Sequence, residues 1–260
     1  MITHDALWEG ADYMKLEKQI GRGKHNEVYK SGDAAIKLFN EGYAKADILN
    51  EAYIIALIEE VGLNIPKLRE VPVIDGKIAI VMDLTEGKTL EQLMKESPSD
   101  SEKYIDQMLD MQLDMHEKRC PHLQKYKDKL IDRINRAGLD ENKKYEMLMI
   151  LDGLPKHNKI CHGDFIPQNI MISCDKAYIL DWNHATQGNA SADVARSYLW
   201  LCLHMPDVAD MYLDKFCAKT DTQRRYVQQW MPIVAAARMY KHISGEEELL
   251  QKWIDVVSYE

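Results

Sequence analysis

Cys161-His162-Gly163-Asp164-Phe165-Ile166-Pro167-Gln168-Asn169 runs into the apolar Ile170-Met171-Ile172, and eight residues after Ile172 comes Leu180-Asp181-Trp182-Asn183. Asp164 and Asn169 bracket a loop that Pro167 stiffens. Asp181 follows a short apolar strand, and a hairpin there would set it beside Asn169. Taken singly, these residues read as a polar turn and a strand-end cap. Taken together they match the needs of phosphoryl transfer. A hydroxyl nucleophile must be oriented and lose its proton, and the charge on the transferred and leaving phosphates needs Mg²⁺. An aspartate on a loop can accept the proton. An asparagine and a second aspartate supply hard oxygens to a Mg²⁺ ion that takes few protein ligands beside phosphate.

Outward from this island the chain changes character on either side. Before it, Tyr13–Ile20 and Glu27–Lys30 read as strands flanking a glycine turn, and Ala34–Phe39 as a short apolar strand. Residues 43–61 read as a helix, with Ile48, Ala52 and Ile55 at i, i+4 and i+7. Residues 67–73 and 77–84 form a hairpin across Ile74-Asp75-Gly76. Gly87 marks a break, after which the pattern is helical. Ser101 is placed to cap a helix carrying Ile105, Met108, Leu109 and Met115 on one face. Further helical segments run over 123–137 and 142–151, and from Ser191 to the end with breaks near Pro206, Thr220 and Gly245. The expected layout is therefore a β-rich lobe, 1–86, and a helical lobe, 87–260, that holds the β-like island.

His162-Gly163-Asp164, Asn169 and Ile179-Leu180-Asp181-Trp182 resemble the aminoglycoside phosphotransferase and choline kinase family, with its H-G-D-x-x-x-x-N, apolar strand and I/L-D-W/F. The resemblance runs from about residue 15 to about residue 205. It implies an α+β, protein-kinase-like two-lobed fold, with ATP (or GTP) in the cleft between the lobes and one or two Mg²⁺. Asp164 would act as base or hydroxyl orienter, and Asn169 and Asp181 would hold the metal. Ile20-Gly21-Arg22-Gly23-Lys24-His25-Asn26 looks like a phosphate-covering loop in which Gly21 and Gly23 let backbone N–H groups approach, although Asn26 holds the third glycine position. Lys37, in Ala35-Ile36-Lys37-Leu38, resembles the lysine on the α- and β-phosphates, and Glu51 its ion-pair partner. The hinge follows 81–84, where Met82 or Asp83 would offer a carbonyl and Leu84 an N–H to the base. His162 orients the loop. Asp193 matches the aspartate that opens the helix after D-W and would hold the catalytic loop; its plainer reading is a carboxylate at a helix N-terminus. His116, on the helical face above, reads as core, with a substrate-lining place as the alternative.

Protein kinases share the D-x-x-x-x-N spacing but carry H-R-D, D-F-G and A-P-E, and no A-P-E occurs here. A non-catalytic, kinase-like nucleotide-binding protein is the other alternative, and the joint presence of Lys37, Asp164, Asn169 and Asp181 weighs against it. The remaining expectations come from composition. The net charge is −9 with no basic block, which suits neither a nucleic-acid nor a membrane-surface partner. No stretch reads as a membrane span. Met1–Gly10 has no apolar run of a signal peptide, and five scattered cysteines fit a reducing, cytoplasmic setting. The partner is expected to be a small hydroxylated molecule: an aminoglycoside, choline, a sugar or a related metabolite. Residues 100–260 carry 25 acids and 21 bases, a balance that gives no push toward a polycationic acceptor.

Overall fold

The structure, a computed structural model, describes residues 15–174 and 176–256. Met1–Gly10, the expected start of the first strand at Tyr13, and Val257–Glu260 lie outside the described residues. In chain order the elements are β1 (Lys18–Arg22), β2 (Asn26–Ser31), β3 (Ala34–Phe39), α1 (Lys45–Glu59), β4 (Leu68–Glu70), β5 (Val73–Ile74), β6 (Lys77–Asp83), β7 (Lys88–Thr89), α2 (Leu90–Glu96), α3 (Ser101–Glu117), α4 (Tyr126–Asn135), α5 (Glu141–Gly153), β8 (Lys159–Cys161), β9 (Ile170–Ser173), β10 (Lys176–Ile179), β11 (Thr186–Gly188), α6 (Ala190–His204), α7 (Pro206–Thr220), α8 (Arg224–Gln228), α9 (Met231–Met239) and α10 (Glu247–Asp255). Backbone contacts divide the chain into two units. One is the chain up to Gly87 together with Met171–Asn183; the other is Lys88–Ile170 with His184 onward. The expected boundary near 86 falls beside the first break, but the hairpin of β9 and β10 groups with the first unit rather than with the rest of 87–260. A main-chain bond from Ile179 N–H to the Asn64 carbonyl, 2.9 Å, ties it there.

The first unit is built on an antiparallel sheet of order β1-β2-β3-β6-β4, with β5 pairing the start of β6. Asp75 and Gly76, both with positive φ, make the tight turn between β5 and β6. One sheet face packs Ala34, Ile36 and Leu38 of β3 against Ala79 and Val81 of β6. Side chains alternate across a strand, so Lys37 belongs to the other face. Helix α1 buries Ile48, Ala52 and Ile55, at the spacing expected, and with them the carboxylate of Glu51. Gly87 ends this part of the chain because nothing larger fits: a Cβ there would stand 1.9 Å from the Ile172 carbonyl oxygen.

The second unit is helical around α6 and α9, which are buried along most of their length. Helix α3 buries Ile105, Met108, Leu109 and Met115 as the spacing predicts, and also two polar side chains, Gln112 and His116. Ser101 does not cap it. Residues 98–100 form a 3-10 turn that delivers the chain already coiled, so Ser101 is the first helical residue, and Asp100 at the cap position makes no side-chain bond. The segment expected over 123–137 is a shorter helix, α4, and that over 142–151 a longer one, α5, which Asp140 caps through the Lys143 N–H.

Candidate active site

In the first unit, Lys37 Nζ lies 2.6 Å from Glu51 Oε1 and 3.3 Å from Asp181 Oδ1. Burial presses the amine toward its neutral form, but the carboxylates of Asp181 and Glu51 outweigh it and hold its pKa above the ordinary value. Glu51, early in α1, takes the position of the lysine's anchor; Glu59 instead binds the Leu68 N–H. Asp181 differs from its partners in being open: its side chain is 39% exposed against 11% for Lys37 and 8% for Glu51. Its backbone is left-handed, φ 60°, a conformation that costs a non-glycine residue energy and concentrates at functional sites.

Two expectations in this unit need revision. The Gly23 N–H closes its own turn on the Asn26 carbonyl at 2.9 Å, so it is not free for phosphate in this arrangement. The Asn26 side chain fills the space above Gly23, which is how an asparagine comes to stand at the third glycine position. Gly21, by contrast, lies in β1 opposite Val28, just past a register shift. The Leu84 N–H, expected to face a base, donates to the Asp33 carbonyl at 2.9 Å, and the Asp83 N–H to that of Lys67. One N–H serves one acceptor well, so neither of these two is free for a base in this arrangement. Met82 pairs with Ala35 within the sheet, and the Asp83 carboxylate holds Arg69 at 2.7 Å.

In the second unit the loop from His162 to Asn169 is clamped at both ends. Upstream, β8 pairs antiparallel with β11, Cys161 opposite Thr186. Downstream, residues 167–169 make a 3-10 turn that starts at a proline. The Asn169 side-chain amide donates to the Asp164 carbonyl at 2.9 Å, which leaves its Oδ1 as the acceptor available to a ligand. His162 is fully buried and its Nδ1 accepts from the Asp164 N–H, 3.2 Å. Asp193, near the start of α6, accepts from the Gly163 N–H at 2.7 Å through one oxygen; the other lies 3.1 Å from His116 Nε2 and 3.3 Å from Gln112 Nε2. Burial raises the Asp193 pKa, but these bonds bring it below the usual carboxylate range. His116 is buried, but it is the partner of Asp193 rather than apolar packing.

Gly163 carries the loop past His184. Its φ is 77°, and a Cβ would meet the His184 carbonyl oxygen at 2.7 Å. Gly163→Ala should therefore lower stability by at least about 1 kcal/mol from the left-handed backbone alone, read as a lowered denaturant midpoint at unchanged slope, with turnover falling beside it because Asp164 is the next residue.

Sequence reading missed Arg196. Its Nη2 donates to Asp164 Oδ1 at 2.8 Å, and its side chain is buried. Burial would raise the Asp164 carboxyl, but the Arg196 guanidinium, with Lys241 behind it, holds its pKa below the ordinary value. The one available signal was local: Arg196 follows Asp193 by one helical turn in α6 and shares with it an otherwise apolar or small run.

The residues present fit a divalent ion. Taken separately, Asp181 in the first unit has an open carboxylate and Asn169 in the second has its Oδ1 left as acceptor, each a hard oxygen of the kind such an ion takes, and among the described residues no group of three or more His, Cys, Asp or Glu side chains forms a cage of its own. An ion at such ligands takes most of its oxygens from phosphate and water, as Mg²⁺ does.

The antiparallel sheet with its one inserted helix, the clamped aspartate loop and the helical second unit define a kinase-like phosphotransferase fold. A model of the phosphotransferase enzyme family matches residues 17–227, and the chain belongs to that family. No curated protein sequence matches it. Among solved structures, aminoglycoside phosphotransferase APH(4)-Ia, as a thermostable mutant, superposes with a TM-score of 0.69 over 94% of both chains at 12% identity. Choline kinase LicA from Streptococcus pneumoniae gives 0.65 over 95% of this chain and 93% of its own at 16% identity. A choline/ethanolamine kinase family protein from Mesorhizobium loti gives 0.62 over 94% and 86% at 14% identity. At such identities the likeness is one of fold, and the fold agrees with the resemblance carried by the H-G-D and L-D-W motifs. Among the described residues no helix is long and apolar enough to cross a membrane.

Proposed function

We propose that this protein transfers the γ-phosphoryl group of ATP to a hydroxyl of a small molecule. The observation that carries the reading is the trio of Lys37, Glu51 and Asp181, a cation fixed between a buried carboxylate and an open one. Glu51 holds Lys37 extended, and Lys37 offers its charge to the phosphate oxygens. Asp181 and Asn169 would hold Mg²⁺, which when bound neutralises charge gathering on the phosphates. Asp164 orients the acceptor hydroxyl and receives its proton. Its lowered pKa makes it a weak base, which suits a loose transition state in which the hydroxyl must be aligned more than deprotonated early. The related APH(4)-Ia has been captured with AMP-PNP and hygromycin B, which supports a nucleotide as the donor.

ATP with Mg²⁺ should raise the melting temperature of the protein by mass action, and Lys37→Ala should abolish most of that rise. A wild type that shows no shift with millimolar ATP or GTP would remove the donor assignment.

A further inference from the structure

In the second unit, Arg196, which binds Asp164, also lines a pocket whose charge is out of balance. Its lining includes Arg133 from α4, Arg196 from α6, Arg238 from α9, and Tyr240 and Lys241 from the turn that follows. Lys129, one helical turn before Arg133, adds a further cation nearby. Among the described residues two carboxylates form ion pairs with this set. Asp164 takes Arg196 through Nη2, and Glu246 takes Arg238 with two bonds of 2.5 Å. Arg133, Lys129 and Lys241 have no carboxylate within ion-pair distance among the described residues; Arg133 rests on the Tyr240 ring, 5.3 Å to its centre.

Unpaired cations facing one another are costly unless something anionic joins them. Burial first, and the neighbouring cations after it, disfavour the charged forms here, while the Asp164 carboxylate pulls Lys241 the other way. Burial, then Arg133 and Lys241, push Lys129 down to about 7. Burial, then Arg196, push Lys241 down to about 8. His184, facing the same cations, is held well below its ordinary value, by burial first.

A second observation is independent of charge. Arg196 Nη1 and the Tyr126 hydroxyl are buried polar atoms without a hydrogen-bond partner among the described residues, and both residues line this pocket. Buried donors of that kind are ordinarily satisfied. The same guanidinium thus binds Asp164 with one nitrogen and presents the other, unused, to the pocket. The free space is about 10 Å³, room for roughly one water-sized group: it admits the tip of an oxyanion and not the body of an acceptor.

We propose that the acceptor is an anion, a hydroxylated small molecule whose phosphate or carboxylate group is received by Arg133, Arg196 and Lys241 while its hydroxyl meets Asp164. This rests on the phosphotransferase reading and narrows its substrate class away from polycations and quaternary amines, which these cations repel. Arg196 links the two ends of such a molecule, since one guanidinium touches both the carboxylate that aligns the hydroxyl and the anion.

The test has two arms. In the first, melting temperature is followed with millimolar inorganic phosphate against chloride at equal ionic strength. Wild type and Lys37→Ala should both rise, and the Arg133→Gln/Lys241→Gln double variant should lose most of the rise while keeping its response to ATP. Arg133→Lys, which keeps the charge, should retain part of it and guards against a folding defect in the double variant. Equal phosphate shifts in wild type and the double variant would overturn the proposal. In the second arm, ADP release is measured on sugar phosphates, sugar acids, choline and aminoglycosides, and sugar phosphates against sugar acids tells which anion is used. Arg133→Gln and Lys241→Gln, each made singly, should cost at least about tenfold in kcat/KM toward the preferred anion, mainly through KM, the size of one charge-assisted hydrogen bond. Turnover of choline or an aminoglycoside that is indifferent to both variants would also overturn it. A wild type that ignores ATP yet responds to phosphate through Arg133 and Lys241 would sink the kinase reading and leave the anion site standing.

Discussion

Asp164→Asn is expected to bind ATP as the wild type does and to lose phosphoryl transfer by roughly 10²- to 10⁴-fold, the usual worth of a positioned proton acceptor. The substitution is nearly isosteric. The loop is held by bonds that the side chain of residue 164 does not make: Gly163 N–H to Asp193, the Asp164 N–H to His162, and the Asn169 amide to the Asp164 carbonyl. What changes is charge. Arg196 would face an amide in place of a carboxylate, and the acceptor hydroxyl would lose its anionic partner. Because the nucleotide is assigned to Lys37 and Asp181, titration calorimetry with a non-hydrolysable analogue should give the same affinity in both proteins. Equal turnover in the two would end the catalytic assignment. Intact turnover beside weakened nucleotide binding would move Asp164 to the donor side.

Asp181→Gly is expected to retain the fold and lose metal-dependent turnover by on the order of 10³-fold, a Lewis-acid contribution of several kcal/mol. Glycine is the appropriate replacement because residue 181 has a φ of 60°. Alanine there would add backbone strain to the loss of the carboxylate, whereas glycine adopts this conformation freely. Lys37 would keep Glu51, so the buried ion pair at 2.6 Å survives. Activity is to be measured over a Mg²⁺ series and unfolding over a denaturant series. Near-normal turnover at saturating Mg²⁺ would show that Asp181 is not a ligand.

What could be read from the linear chain was whatever local spacing decides. Asp164 and Asn169 sit in one loop with a proline between them, and Asp181 ends the next strand, so backbone geometry alone keeps their order. Lys37, in the apolar Ala35-Ile36-Lys37-Leu38 run, and Glu51, fourteen residues on, stand out by their resemblance to the family's phosphate lysine and its ion-pair partner, and the structure brings the two to 2.6 Å. The period of the apolar residues was enough to find α1 and α3, though not that a 3-10 turn would displace Ser101 from the cap.

Tertiary structure decided the rest, for two physical reasons. Hydrogen bonds are competitive: whether the Leu84 or Gly23 N–H is free depends on which carbonyl lies alongside, and here Asp33 and Asn26 take them. His116 likewise became the partner of Asp193 only once α3 and α6 packed. Electrostatics is local: residues 100–260 carry a small excess of acid, yet α4, α6 and the turn after α9 bring Arg133, Arg196 and Lys241 to one pocket. Net charge averages over a surface, while the potential at a site depends on the few groups within several ångströms of it. The sequence by itself thus pointed to the family and to Lys37, Asp164, Asn169 and Asp181 as candidates, and only the folded chain brought the cations of α4, α6 and the turn after α9 to one pocket.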